Sequence, residues 1–564
     1  MSSIDDRIPL SPLLNQFDKK IPVKRKSQSK RRILLLSLQA TINAIIVGFV
    51  AKFLVLLIYL VTNLAFYGKF SLLSASPAGN QLGFLVILIP VLGSLLIGFM
   101  ARYGSTAIRG HGIPEAMEKI IREESRIPPI ITFLKPVSAA ISIGTGGPFG
   151  AEGPIIATGG AFGSLTGQIM HISAVERKII LTAGACAGMS AIFGTPLAAL
   201  LLAIELLLFE FSPKSIIPVT LACLTGAVMH IILFGKSPVF AMHPIPVASN
   251  PVLLIYILFG AIIGVLASFV SKSVYAIEDL FEKIRIHWMW WPALGGLVVG
   301  IIGYFSPITL GVGYDNIQNL LNSNLSLKIL LSLCLLKYLS WAIALGSGTS
   351  GGTLAPLLTI GGSTGALLAM IFASMFPVIH IDPATTALIG MAAMFAGASR
   401  AVLTSIVFAL ETTGQTNGLL PLIGACIAAY LVSFILMKGS SIMTEKIKRR
   451  GISTPDTFEP DPLQAGSVID LITPIHLPMK TTPCIFSSDD VGLAAEIMGK
   501  YNANELLVLD NKQSMKEIGV ITAASIMKYY SIKKEKEISY DSPGKTKRLM
   551  VHGRKFMRKI DDSW

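Results

Sequence analysis

One stretch of this sequence occurs twice, and that repeat limits the possible folds more than any other feature. Gly144-Thr-Gly-Gly-Pro-Phe-Gly-Ala-Glu152-Gly-Pro154 aligns with Gly346-Ser-Gly-Thr-Ser-Gly-Gly-Thr-Leu354-Ala-Pro356. In the same register Gly159, Gly160 and Gly163 fall opposite Gly361, Gly362 and Gly365, and Gly188-Met-Ser-Ala-Ile-Phe193 falls opposite Gly390-Met-Ala-Ala-Met-Phe395. Four extra residues in the second copy then bring Glu205 opposite Glu411. Small residues match by chance in a Gly-rich chain, but a register held from Gly144 to Phe193 does not arise that way. The chain therefore reads as two homologous halves, an arrangement common among transporters, whose sites form where the halves meet. An inverted relation between the halves is an expectation, since sequence carries no handedness.

Both copies are embedded in apolar sequence. Charged residues make up only 14% of the 564, against about 25% in soluble proteins. Hydrophobic residues reach 52% and the mean hydropathy is +0.65, too much for a soluble interior to hide. The expected fold class is an all-α polytopic membrane protein. Clear spans are Ile33–Ala65, Leu82–Met100, Leu253–Val270, Ile329–Leu345 and Leu419–Met437, each near the ~20 residues a bilayer crossing needs. Shorter pieces broken by Gly and Pro, Ile141–Thr158 and Ala344–Gly365, read as half-helices lining a site, because bare backbone cannot face lipid.

The net charge of +14 sits at the ends of this region. Eight basic residues and no acids lie between Lys19 and Arg32, and Lys446, Lys448, Arg449 and Arg450 follow the last apolar segment. Flanking bases hold both termini in the cytoplasm, which calls for an even number of crossings in a plasma or bacterial inner membrane. A nucleic-acid partner is not expected. The polar segment before Ile33 is too long for a signal peptide. The five cysteines are scattered without a CxxC, so neither a metal site nor a disulfide framework is expected.

The domain plan is a basic tail over residues 1–32, a membrane domain over 33–450, a Pro/Asp/Ser-rich linker over 451–466, a small α/β domain over 467–531 and a basic tail over 532–564. Within the small domain Ala494–Lys500 looks helical, Glu505–Leu509 and Ile518–Thr522 look like strands, and Ile526–Tyr530 begins another helix.

Each half supplies a Gly-rich loop that runs to a proline and then an apolar helix. Such a start leaves amide N–H groups unpaired at the positive end of the helix dipole, which makes an anion site without a fixed cation. A lysine or arginine there would hold an anion too tightly for rapid passage. A third loop of this kind is Gly110-His111-Gly112-Ile113-Pro114. Acids inside the apolar region are rare, and Glu152, Glu205 and Glu411 stand out. Glu152 occupies the position of Leu354 in the other half, so its carboxylate is placed to act as a tethered anion; a helix-capping acid is the alternative. Glu205 and Glu411 are expected to pair with backbone donors or bases. Lys135 either balances Glu152 or snorkels to an interface, and His111 either donates to an anion or packs.

In these loops the chain resembles the CLC family of chloride channels and chloride/proton antiporters, over about residues 35–450. Gly110-His-Gly-Ile-Pro114 resembles the family's GSGIP loop, Gly150-Ala-Glu-Gly-Pro154 its GxEGP gate and Gly352-Thr-Leu-Ala-Pro356 its GxFxP loop. The resemblance implies a homodimer of inverted halves with one chloride pathway per subunit. It makes Glu152 the gate and places the anion against His111, Gly112, Ile113, Gly150, Ala151, Gly153, Thr353 and Leu354. Residues 467–531 resemble a single CBS repeat. With one repeat visible, an adenine nucleotide would require pairing across a dimer, and none is expected.

The chain departs from the family pattern at three points. His111 replaces the serine of the first loop, and Met443, the last residue that the resemblance places against the anion, stands at the position of the pore tyrosine. Leu206 stands where the best-known bacterial antiporters carry an internal proton-transfer glutamate, which favours a channel; the alternative is a proton-coupled chloride antiporter. A fluoride exporter and a CBS-regulated cation channel are further readings, though a cation pore wants clustered carboxylates. No enzyme is expected, since an intramembrane metalloprotease needs HExxH and no His-Glu pair occurs.

Overall fold

The computed structural model describes residues 30–322, 325–379, 381–451, 463, 467–473, 483–510 and 516–540, with side chains to 532. The basic stretch before Lys30, nearly all of the linker and the tail from 541 onward lie outside the described residues. Two compact units emerge, one beginning at Lys30 and holding the repeat, the other at the C-terminal end.

The first unit is helical throughout. Its helices are α1 (Lys30–Tyr67), α2 (Leu88–Tyr103), α3 (Ile113–Arg122), α4 (Ile131–Gly144), α5 (Glu152–Ile169), α6 (Ala174–Phe193), α7 (Pro196–Leu202), α8 (Pro213–Leu233) and α9 (Asn250–Glu282). They continue as α10 (Trp291–Phe305), α11 (Tyr314–Asn322), α12 (Leu327–Leu331), α13 (Lys337–Gly346), α14 (Leu354–Met375), α15 (Pro383–Ser399), α16 (Val402–Thr413), α17 (Leu419–Leu436) and α18 (Glu445–Arg449). Among the described residues, eight helical segments are long and apolar enough to cross a membrane. The expected spans all lie on such segments.

Local chemistry sets the helix ends. Proline occupies the first turn of α7, α8, α9, α10 and α15, where its missing N–H costs nothing. Ser173 and Glu176 form a capping box at the start of α6, and Gly194 ends that helix in the left-handed region at φ +65°. The two interrupted stretches are chain breaks at matched places. α4 stops at Gly144 and α5 starts at Glu152; α13 stops at Gly346 and α14 starts at Leu354.

Glycine lets the repeated pairs approach backbone to backbone. α5 lies on α6 with Gly159 against the Gly184 carbonyl and Gly163 against that of Ile180. α14 lies on α15 in the same way, Gly361 against Gly390 and Gly365 against Thr386. A Cβ at any of the four would fall inside contact distance of backbone, so these glycines set the helix spacing.

The C-terminal unit is a three-stranded sheet in the order β1 (Cys484–Phe486), β2 (Glu505–Leu509), β3 (Glu517–Thr522), with α19 (Val491–Tyr501) and α20 (Ala523–Tyr540). β1 pairs parallel to β2, and β2 pairs antiparallel to β3 with Leu507 opposite Val520. Ile485, Val491, Ile497, Leu506, Val508 and Ile521 form its core. Strand β1 lies outside the sequence expectation, because three residues are too few to show alternation.

Candidate anion site where the half-helices meet

Three Gly-rich loops are laced together by their own backbones. The Gly150 N–H donates to the Gly352 carbonyl at 3.2 Å, and the Gly352 N–H returns a bond to Gly150 at 3.0 Å. The Gly110 N–H donates to Thr349 at 3.1 Å and the Gly351 N–H to Gly110 at 3.4 Å. These bonds bring the N-termini of α3, α5 and α14 to one place. Gly153 has to be glycine there, since a Cβ would run into the His111 carbonyl and the Gly352 Cα. Gly112, at φ +94° against the Gly153 carbonyl, is held to glycine by both conformation and space.

Glu152 lies inside this junction with 1% of its surface exposed. Its Oε1 accepts the N–H of Leu354 at 2.7 Å and of Ala355 at 3.1 Å, the first amides of α14. A carboxylate from one half thus occupies the helix start of the other, where unpaired amides favour negative charge. Oε2 is buried and has no hydrogen-bond partner.

Lys135 does not sit on Glu152. Its ammonium donates to the carbonyls of Ile108 at 2.8 Å and Gly110 at 2.9 Å, holding the first loop from behind. Glu115 holds the same loop from the other side, accepting the Gly112 N–H at 2.7 Å and Lys446 at 2.7 Å. Burial pushes the Glu115 carboxyl up, but the neighbouring cations, Lys446 foremost, outweigh it and keep the group well below the usual carboxylate range. His111 is 5% exposed and its Nδ1 has no hydrogen-bond partner.

The residues from Gly110 to Ile113, from Gly150 to Gly153 and at Thr353 and Leu354 therefore share one locus with Glu152. Met443 is fully buried, but the hydrogen bonds of its segment run elsewhere, from the Ile442 N–H to Ala398 at 2.9 Å and from the Tyr275 hydroxyl to Ile442 at 2.6 Å. Glu205 and Glu411 make their hydrogen bonds outside the Gly-rich loops and cap each other's helices. Glu205 accepts the N–H groups of Leu403 (3.0 Å) and Thr404 (2.9 Å) at the start of α16. Glu411 accepts those of Leu197 (3.1 Å) and Ala198 (2.9 Å) at the start of α7.

A fourth loop, Gly311-Val-Gly313, completes the pseudo-symmetry. Lys337 donates to the carbonyls of Thr309 (2.9 Å) and Gly311 (2.7 Å), as Lys135 does in the first half. Both the lysine and the loop were outside the sequence reading, although the spacing of 202 residues between Glu152 and Leu354 also separates Lys135 from Lys337. Two cavities flank the junction. One of about 510 Å³ is lined by Arg109, His111, Glu115, Glu278, Glu282 and Lys446. The other, of about 90 Å³, is lined by Ala151, Tyr314 and residues near the far end of α1.

Broken helices, duplicated halves and an amide-lined junction between two cavities define a membrane protein that passes anions. The family described as voltage gated chloride channel matches residues 92–434, and the chain belongs to it, the CLC proteins. The H(+)/Cl(-) exchange transporter ClcA of Salmonella typhi is 30% identical over 370 residues, covering 62% of this chain and 76% of that protein. The protein of that name from Citrobacter koseri is 30% identical over 367 residues, covering 62% and 75%. Among solved structures, a slow cyanobacterial Cl-/H+ antiporter shares the fold with a TM-score of 0.65 at 24% identity, over 73% of this chain and 98% of its own. A eukaryotic CLC transporter gives 0.62 at 20% identity, over 88% of each chain.

Proposed function

We propose that this protein exchanges chloride for protons, with Glu152 as the group that both gates the anion path and carries the proton. The observation that carries this reading is the Glu152 carboxylate seated on the amides of Leu354 and Ala355. It takes the place a chloride would take, so an anion can enter only as the carboxylate is neutralised or displaced. The expectation of a channel, drawn from Leu206, is set aside because the relatives at 30% identity are named as exchangers. Leu206 is buried on the π-helical turn after α7 and holds no proton. The proton enters instead through the cavity that carries Glu278 and Glu282.

His111, Gly112, Ile113, Gly150, Ala151, Gly153, Thr353 and Leu354 line the anion's route. Lys135, Glu205 and Glu411 support the route without touching the anion. The protein works as a homodimer with both termini in the cytoplasm, and the C-terminal unit is a CBS-like module.

The test is chloride efflux from reconstituted liposomes with external pH recorded, with and without a protonophore. Protons should enter as chloride leaves, and Glu152→Ala should keep chloride flux while abolishing proton movement. Chloride efflux without any proton movement in the unmodified protein would return the reading to a channel. Loss of all anion flux in a folded Glu152→Ala protein would remove Glu152 from the gate.

A further inference from the structure

Two buried polar atoms at the gate lack a hydrogen bond, and they are neighbours. Glu152 Oε2 has no partner, and neither has the hydroxyl of Tyr314, the first residue of α11. Tyr314 borders the same cavity as Ala151, the residue before Glu152, and its hydroxyl is near enough to the Glu152 carboxyl to interact electrostatically, while neither oxygen reaches full hydrogen-bond geometry. Stranded polar groups of this kind are rare in native interiors and call for an explanation.

The surroundings narrow the explanation. The Tyr314 ring is packed edge-on against Phe193 (6.0 Å) and Phe240 (5.8 Å), and Phe193 packs in turn on Phe408 (5.0 Å), which fixes where the hydroxyl points. The cavity of about 90 Å³ lies beside it, large enough for a carboxyl group to swing into. A carboxyl leaving the amides of Leu354 and Ala355 toward this aromatic wall would be stranded unless a polar atom received it. The titratable groups near Tyr314 are Glu152 on α5, Tyr59 on α1, Asp315 on α11 and Lys337 on α13. Lys337 is already bound to two carbonyls. In the first half the residue after the corresponding glycine, Gly112, is Ile113, which has no polar side-chain atom, so the device exists once.

We propose that the Tyr314 hydroxyl is the outer receptor for the Glu152 carboxyl, holding it clear of the α14 amides while an anion occupies them. Tyr314 is a positioning residue here, and the proposal rests on Glu152 being the gate. Removing the hydroxyl would make the outward state less stable relative to the seated, ionised one. More protonation would then be needed to open the path, so the pH profile of transport would move to lower pH.

The experiment is Tyr314→Phe, which keeps the ring and deletes an oxygen that makes no hydrogen bond in the seated state, so folding should survive. Chloride efflux should slow about five- to tenfold, the scale of one hydrogen bond, and its pH profile should shift down by roughly 0.7 to 1 unit. In a Glu152→Ala background, with no carboxyl to receive, Tyr314→Phe should leave flux unchanged. Equal slowing in both backgrounds would overturn the proposal by placing Tyr314 on the pore itself. An unchanged rate and pH profile in the folded single variant would overturn it as well. Absence of proton coupling in the unmodified protein would count against exchange alone, because the two-background comparison reads chloride flux only.

Discussion

In the first half Lys135 holds the carbonyls of Ile108 and Gly110; in the second Lys337 holds those of Thr309 and Gly311. Glu205 of the first half caps α16 of the second, and Glu411 of the second caps α7 of the first. The helix pairs α5–α6 and α14–α15 touch through glycines in the same register. The halves separate at Glu152 and Leu354, where one carries a carboxylate and the other an aliphatic side chain. Duplication built the scaffold twice, and the chemistry resides in the difference. The second half contributes bare amides, and the first contributes the charge that competes for them. On the proposed function, two carboxylates would keep anions out, while none would leave the path without a gate.

Breaking that asymmetry should have the largest effect. Leu354→Glu places a second carboxylate where α5 and α14 converge, and repulsion should cut chloride flux about 100-fold at neutral pH. Combining it with Glu152→Ala moves the single carboxylate to the other half, and flux should recover. A fully active Leu354→Glu protein in the liposome assay would show that the helix start of α14 is not on the path. The lysines test the shared scaffold. Lys135→Met and Lys337→Met each orphan two buried carbonyls, partly offset by relief of a buried charge. Each should lower stability by about 2 kcal/mol, read as a drop in the thermal midpoint of the protein in detergent. A large loss for one variant and none for the other would mean that the correspondence is geometric only.

The split between what the sequence carried and what it hid follows the same division. Helices announced themselves by apolar length, and the loops by glycine and proline in a repeated register, so the spans and the junction at Glu152 were readable. Contacts between residues 200 positions apart were not. Nothing in the spacing of seventeen residues between Lys135 and Glu152 says that the ammonium turns to Ile108 and Gly110 instead. Lys337 was readable in principle, since it stands in register with Lys135, but a lone lysine in an apolar helix resembles a snorkelling one. Gly311-Val-Gly313 lacks the proline that marked the other three loops, and Tyr314 gains its place from the aromatic cluster around it. Leu206 by itself does not decide between channel and exchanger, because the loss of one proton acceptor leaves other carboxylates, Glu278 and Glu282 among them, on the cavity that His111 lines.

The smallest expected effect lies in the reciprocal caps, and it separates scaffold from chemistry most finely. Glu411 accepts two backbone N–H groups, whereas Glu205 accepts two and also the Thr404 hydroxyl at 2.6 Å. Glu411→Ala should therefore cost about 1 kcal/mol, the usual value of a lost helix cap, and Glu205→Ala roughly 1.5 kcal/mol. Thr404→Val deletes the extra hydroxyl, so in that background the two alanine variants should shift the thermal midpoint equally. Chloride flux and proton coupling should stay within about twofold of the unmodified protein, because neither carboxylate touches the Gly-rich loops. If Glu205→Ala left stability intact but uncoupled protons from chloride, Glu205 would belong to the proton route, and the equivalence of the two halves would end there.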